Sequence, residues 1–395
     1  MKALVFERSV PKLAKARIAG LLRPGSGATH GPLALNDACT VPALPGPGWQ
    51  RVRPRLAGIC GSDLATVDGR SSRYFEPIVS FPFVPGHEVV GALDDGLRVV
   101  VEPVLGCATR QIAPMCRACT NGELGRCEHI AYGALAPGLQ SGFCCDTGGG
   151  WSTRMVAHDS QLHHVPGDMS DENAVMVEPA ACAIHAALSP GSLDGATVAV
   201  IGAGTLGLLT IAALRQFNRP TQVLVGAKHP EQRAFAAKFG ATTVIEPAML
   251  RRAVRSAVGC MAIGDGEIER LTGGADVVFD CVGSSDSIQN ALTMTRPGGR
   301  IVLVGMAGRT TVDLTPLWQR EVALVGAYAY GYERLLNRRT FDLAFELANT
   351  NELGQLVSAT YPLDRYDDAL RHAANAGSRG GVKIAFDLRT EKDRG

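Results

Sequence analysis

Short apolar runs alternate with turn residues along the first 168 positions. Ala3–Phe6, Val52–Gly58, Val89–Leu93, Arg98–Val101 and Thr153–Ala157 are bounded by Gly and Pro, a pattern that predicts an all-β barrel with long loops. From about Gly191 the texture changes. Strands are predicted at Thr197–Ile201, Gln222–Gly226, Thr242–Ile245, Asp276–Cys281, Arg300–Val304 and Ala323–Tyr328, with helices at Leu206–Phe217, Glu231–Phe239 and Ser287–Thr293 between them. Such alternation predicts a parallel, doubly wound α/β sheet. Beyond Tyr330 the pattern gives helices at Glu333–Asn349 and Tyr366–Ala374, a last strand at Val382–Asp387 and a charged, frayed tail from Leu388. A closing segment of this kind has to pack somewhere, and the N-terminal barrel is the available surface. The division read from the pattern is 1–168, 169–330 and 331–395.

The run Gly195–Leu214 is long and uncharged enough to mimic a membrane span. Its internal order, β-branched residues and then a glycine-rich turn and a helical stretch, reads as buried strand, turn and helix. At 395 residues the chain is long enough for two cores. Lys and Arg total 39 against 38 Asp and Glu, so no chain-wide field favours nucleic acid or a membrane surface. Eleven cysteines are too few for a disulfide scaffold of this length, and the first residues show no secretory pattern, so reduced thiols and a cytoplasmic location are expected.

Gly202-Ala203-Gly204-Thr205-Leu206-Gly207 matches G-x-G-x-x-G directly after a predicted strand and opens a helix. Gly202 permits the turn, Gly204 lets a pyrophosphate approach the backbone, and Gly207 lets helix and strand pack closely. The phosphate then meets free N–H groups at the positive end of the helix. An acidic residue that would bind the adenosine ribose is expected about 20 residues on, where Ala227, Lys228 and His229 stand. With no carboxylate there and with Lys228 and His229 able to neutralise a 2′-phosphate, NADP is favoured over NAD. Weak NAD binding beside a solvated Lys228 is the alternative.

Cys107, Cys116, Cys119 and Cys127 fall in CATRQIAPMCRACTNGELGRC. Four thiolates satisfy a tetrahedral zinc with no open position, a structural arrangement. The vicinal pair Cys144-Cys145 chelates one metal poorly and is read as packing. A second, scattered set comprises Cys60 in GICGSD, His87 and Glu88 in PGHE, and Glu178 in VEPAACAIHAA. Mixed sulfur, nitrogen and oxygen donors suit a catalytic zinc that keeps one exchangeable position.

With these motifs in hand, the chain resembles the zinc-dependent branch of the medium-chain dehydrogenase/reductase family. The landmarks are GICGSD, PGHE, the cysteine lobe, GGGW at Gly148–Trp151, VEPAACAIHAAL, VIGAGTLGLL, DVVFDCVGS and RPGGRIVLVGM. The resemblance implies a GroES-like β-barrel catalytic domain built from both chain ends and a Rossmann domain between them. It gives Cys60, His87, Glu88 and Glu178 the catalytic-zinc roles, one glutamate ligating while the other stands behind it. It also gives Ser62 the reacting oxygen's proton, Asp63 support of the loop, and Thr205, Leu206 and Val282 places along the cofactor.

Three departures stand out. The run ATRQIAPM separates Cys107 from Cys116 where the family has C-x-x-C, Ala65 stands where a proton-relaying histidine is usual, and the N-terminus is longer, with PALPGPGW before the first motif. The resemblance implies hydride transfer between an alcohol and a nicotinamide. Glu178 in place of a second cysteine points to a polyol, sugar or similar hydroxylated metabolite. A simple secondary alcohol, a non-catalytic zinc-stabilised NADP(H)-binding sensor and a zinc-free quinone or enoyl reductase are the rivals. A homodimer or homotetramer is expected, through apolar edge strands at 300–308 and 323–330.

Overall fold

The computed structural model describes residues 1–264 and 269–393. The chain forms two units, Met1–Glu178 with the stretch from Ala344 onwards, and Pro179–Leu343. These limits fall about ten residues later than the breaks in hydrophobic pattern, because they lie inside the helices Val177–Leu188 and Thr340–Thr350, where periodicity is continuous.

In the first unit, Trp49–Gly58 is the central strand. It pairs antiparallel with Val89–Leu93 on one side and with Lys383–Asp387 and Met155–His158 on the other parts of its length. Arg98–Val101 and Leu162–His164 extend one edge, and Val357–Tyr361 closes the other, making a seven-stranded sheet. Its core gathers Leu4, Phe6, Ile59, Phe83, Trp151, Leu370 and Phe386. The second unit carries six parallel strands in the order Thr243–Ile245, Gln222–Gly226, Thr197–Ile201, Ala275–Asp280, Thr295–Leu303 and Ala323–Gly326. The strand order reverses between Thr197–Ile201 and Ala275–Asp280, the crevice where a doubly wound sheet binds its ligand.

Several expectations needed correction. The N-terminal stretch is not all β, since Val10–Leu22 is a helix whose buried side is made of Ala16 and Gly20, too small to write an apolar stripe into the sequence. The helix expected from Glu333 starts at Thr340, after a hairpin pairing Tyr332–Glu333 with Arg338–Arg339 that turns through Asn337 at φ 54°. The Glu333 carboxylate is held in that hairpin by the Thr340 hydroxyl at 2.7 Å and lies 2.9 Å from His185 Nδ1. A helix at Leu250–Val258 was not foreseen. Nor is the tail frayed through its described length. Asp393 accepts two hydrogen bonds from Arg53, at 2.5 and 2.9 Å, and another from Arg55 at 2.7 Å. Arg394 and Gly395 lie outside the described residues. Among the described residues no helix is long and apolar enough to cross a membrane.

Arg53, with the Thr390 N–H and hydroxyl adding to it against burial, holds the Asp393 carboxyl well below the usual carboxylate range. Asp393→Ala is expected to cost roughly 1–2 kcal/mol, read as a lower urea midpoint at neutral pH. Because the folded carboxyl is the stronger acid, this contribution is complete above about pH 4 and fades as pH falls through the folded value. A midpoint difference that persists unchanged under strongly acidic conditions would contradict the ion-pair assignment.

Candidate active site

Strand Trp49–Gly58 delivers the chain to Cys60, which caps the helix Gly61–Val67. Asp63, in the first turn, accepts from the Cys60 N–H at 3.0 Å through one oxygen and faces His87 Nδ1 at 3.5 Å with the other. An imidazole oriented by a carboxylate at Nδ1 presents Nε2 to a metal. His87 and Glu88 sit just before strand Val89–Leu93, after Gly86 at φ 97°. A Cβ on Gly86 would lie 2.4 Å from Trp151, so PGHE and GGGW are two sides of one packing contact.

Donor atoms of Cys60, His87 and Glu88 lie within 4.8 Å of one another. Glu178, also buried, stands outside that group. Ser62 is half-buried in the first helical turn, and Ala65 is buried with no group able to carry a proton.

Lys383, on the closing strand, is the residue that motif reading missed. Its ammonium pairs with Glu88 Oε2 and donates to the Ile59 carbonyl at 3.2 Å. Burial opposes its charge, but Glu88, then Cys60, with Glu178 adding to them, hold its ionisation above the ordinary lysine value. A lone lysine in GGVKIAFD carries no spacing signal. What betrays it is an ionisable residue beginning an otherwise apolar strand. Gly58 completes the arrangement, since a Cβ there would lie 1.9 Å from Glu88 Oε2 and 2.9 Å from Lys383 Cε.

Burial also works against a charged His87, yet Asp63 and then Cys60 hold its ionisation well above the usual histidine range. A thiol, an imidazole and a carboxylate converging in a pocket this rich in anions match the donor set of a zinc with an open position.

The lobe brings together the sulfurs of Cys107, Cys116, Cys119 and Cys127, all buried and all within 4.8 Å. Backbone N–H groups of Cys107, Cys116, Cys119 and His129 point at these sulfurs at 3.4–3.5 Å. Burial works against the Cys116 thiolate, but backbone N–H groups of Glu128 and Cys119 outweigh it and hold that thiol at about 6. Burial pushes Cys127 up to about 11. Four such sulfurs fit a tetrahedral zinc. Cys107, on the unusual spacing, belongs to the cluster, and His129 Nδ1 sits 3.3 Å from its sulfur.

The inserted run carries Arg110, fully buried, whose guanidinium donates to the carbonyls of Leu105, Tyr132, Leu135, Ala136 and Gly138. The longer spacing thus comes with its own clasp. Cys144 packs in the core as expected, whereas Cys145 is exposed, and none of the eleven cysteines forms a disulfide.

In the second unit, Gly202 turns at φ 89°, and a Cβ there would meet Val282 at 2.6 Å. A Cβ on Gly207 would lie 2.0 Å from the Gly202 carbonyl, while one on Gly204 meets nothing within 4 Å. One glycine therefore turns, one packs, and one leaves the approach open ahead of helix Thr205–Phe217, which begins with Thr205 and Leu206. Val282 is half exposed beside this turn, its N–H held by Asp280 at 2.9 Å. Past strand Gln222–Gly226, Ala227 is buried, Lys228 is exposed and His229 caps the next helix. Arg233 lies over this turn, donating to the Lys228 carbonyl at 3.4 Å and to Glu246 at 2.5 Å. Arg233 was not foreseen, because a helix arginine looks solvated in sequence.

Two family models match, the alcohol dehydrogenase GroES-like domain over residues 46–167 and the zinc-binding dehydrogenase over 205–349. L-idonate 5-dehydrogenase of Vitis vinifera is 29% identical, the match covering 88% of this chain and 90% of that one. Sorbitol dehydrogenase of Arabidopsis thaliana is also 29% identical, over 87% and 89%. The solved structure of alcohol dehydrogenase TADH from Thermus sp. ATN1 is 26% identical, superposes with a TM-score of 0.70 and covers 98% of this chain and 100% of that chain.

Two substitutions separate the metal positions. Gly58→Ala should lower zinc from about two to about one per chain with the lobe intact. Arg110→Met should cost on the order of 3 kcal/mol and release the lobe zinc instead. Metal analysis with denaturation curves and zinc-edge absorption reads both: the zinc that remains should be all-sulfur in Gly58→Ala and mixed in Arg110→Met, and the same kind of zinc remaining in both variants would contradict the assignment.

Proposed function

We propose that this chain, which belongs to the zinc-dependent medium-chain dehydrogenase/reductase family, moves hydride between NADP(H) and one hydroxyl of a polyol, sugar or similar hydroxylated metabolite. It is a zinc-dependent alcohol oxidoreductase using a nicotinamide cofactor. The observation that carries the finer reading is the acid-rich donor set, with Cys60, His87 and Glu88 together and Glu178 and Lys383 beside them. Cys60, His87 and Glu88 would hold the metal, with Glu178 behind them. When bound, zinc supplies Lewis acidity that makes a hydroxyl acidic near neutral pH.

The chain's own residues do the rest. Asp63 fixes the cysteine loop and the imidazole together. Lys383 pairs with the buried Glu88 carboxylate and offsets its charge. Ser62 would accept the proton of the reacting hydroxyl while giving up its own to the next group or to solvent. Ala65 cannot relay it, while on the same segment the Thr66 hydroxyl donates to the Ser62 carbonyl at 2.9 Å and is hydrogen-bonded with the Ser71 hydroxyl at 2.9 Å. An oxygen-rich site prefers a substrate with a second hydroxyl beside the reacting one.

The preference for NADP rests on the missing carboxylate at Ala227 and on the cations Lys228 and Arg233. A cytoplasmic location is part of this reading, supported by cysteines that pair in no disulfide. A homodimer or homotetramer is supported by the edge strand Ala323–Gly326, which leaves Leu324 exposed; the stretch from Arg300, expected as a second edge, is an inner strand paired on both sides.

A panel of polyols, sugars and simple alcohols, each run with NADP and with NAD, tests the proposal. Turnover is expected with vicinal hydroxyls and NADP. Lys228→Ala should raise KM for NADP about tenfold and leave NAD nearly unchanged, the loss of one charge-assisted contact. Bound zinc without turnover across the panel would favour a cofactor-binding sensor, and better kcat/KM with NAD would overturn the cofactor preference.

A further inference from the structure

The helix Val10–Leu22 carries large apolar side chains into solvent. Val10, Ile18, Leu21 and Leu22 are 74%, 64%, 73% and 79% exposed. At helical spacing these four and Ala14 occupy one arc of about 120°. The opposite side is fixed to the unit. Ala16 and Gly20 are buried, Leu13 packs on the core, and a Cβ on Gly20 would lie 2.8 Å from Asp68. The Asp68 carboxylate, itself buried, accepts from the Gly25 and Gly27 N–H groups at 3.0 Å and pins the segment that follows. The exposed arc therefore belongs to an anchored helix, and within its own unit none of the described residues covers it.

Its charge is one-sided. Arg8, Lys12, Lys15, Arg17 and Arg23 lie between positions 8 and 23 with no acidic residue among them; Glu7 lies 3.9 Å from Lys12, and the buried Asp68 sits under the opposite, anchored side. In a chain whose basic and acidic totals differ by one, this is a local concentration that the whole-chain balance hides. Helical spacing places Arg17 along one side of the apolar arc and Lys15 along the other, so their long stems can lie beside the apolar side chains while the charges stay at the rim.

We propose that this helix docks the protein peripherally on an anionic lipid surface. Apolar side chains enter the boundary between headgroups and acyl chains, while the flanking cations meet the lipid phosphates and carboxylates. A second copy of the chain is disfavoured as occupant, because like-charged faces repel. An acidic protein partner is the competing occupant, and it makes no use of a convex apolar arc rimmed by cations on both sides.

The full-length, zinc-loaded protein is mixed with vesicles of phosphatidylcholine alone, or of equal parts phosphatidylcholine and phosphatidylserine, and the bound fraction is read after sedimentation. Binding to the anionic vesicles at least about tenfold tighter than to the neutral ones, and weakened by raising salt to about 0.5 M, is expected. Ile18→Glu with Leu21→Glu should abolish sedimentation while leaving the thermal melt and the lipid-free particle mass unchanged. Should that variant misfold, Lys15→Glu with Arg17→Glu provides the same test through charge. No sedimentation of the wild-type protein, equal binding to both vesicle types, or a fall in lipid-free particle mass in the variant would each overturn the proposal, the last by assigning the face to a second copy.

Discussion

Too many anionic donors are buried around one point in the first unit for the point to stay empty of positive charge. Cys60, Asp63 and Glu88 lie near His87, and Lys383 is drawn into the interior to face Glu88, with Cys60 and Glu178 also acting on its charge. A buried lysine survives only where its partners outweigh the loss of hydration. The strand that carries it, Lys383–Asp387, must therefore return from the far end of the chain to pair with Trp49–Gly58. Gly58 has to be glycine so that Glu88 and Lys383 can meet across that strand. The topology of the unit and the charge of the site are one requirement, and a divalent cation completes the balance that one lysine begins.

The same logic shapes the lobe with a different ion. Its sulfurs collect backbone N–H groups, which favour thiolate over thiol, and the loop that follows Cys107 is closed by a buried arginine each of whose three nitrogens donates to a carbonyl. Arg110 holds the chain while the cysteines hold the metal, so loss of either leaves buried groups without their partners.

Much of this was legible in the sequence, for identifiable reasons. The parallel, doubly wound sheet follows from alternating strand and helix patterns and a glycine turn whose three positions each have a steric duty. Gly202, Gly204 and Gly207 fulfil different ones. The cysteine cluster and the grouping of Cys60, His87 and Glu88 followed from residue type and motif order. What escaped was whatever depends on a single residue meeting a distant one. Lys383 and Glu88 are far apart in sequence, Arg110 reads as a loop arginine, and Arg233 reads as a solvated helix residue. Helix Val10–Leu22 escaped because its buried side is Ala and Gly and its large side chains face water, the reverse of the pattern that marks a core helix. The hairpin before Thr340 was hidden because Glu333 looks like a helix residue until His185 and Thr340 are seen to hold it.

The central claim is that two chemically different zinc positions coexist in one chain, one closed by sulfur and one mixed. X-ray absorption at the zinc edge of the purified holoprotein tests it most directly. One all-sulfur zinc and one zinc with a single sulfur predict an average of about 2.5 sulfur neighbours per metal, the remainder being nitrogen and oxygen. An average of about four sulfurs, with no light-atom shell, would mean that metal resides in the lobe alone and would contradict the account.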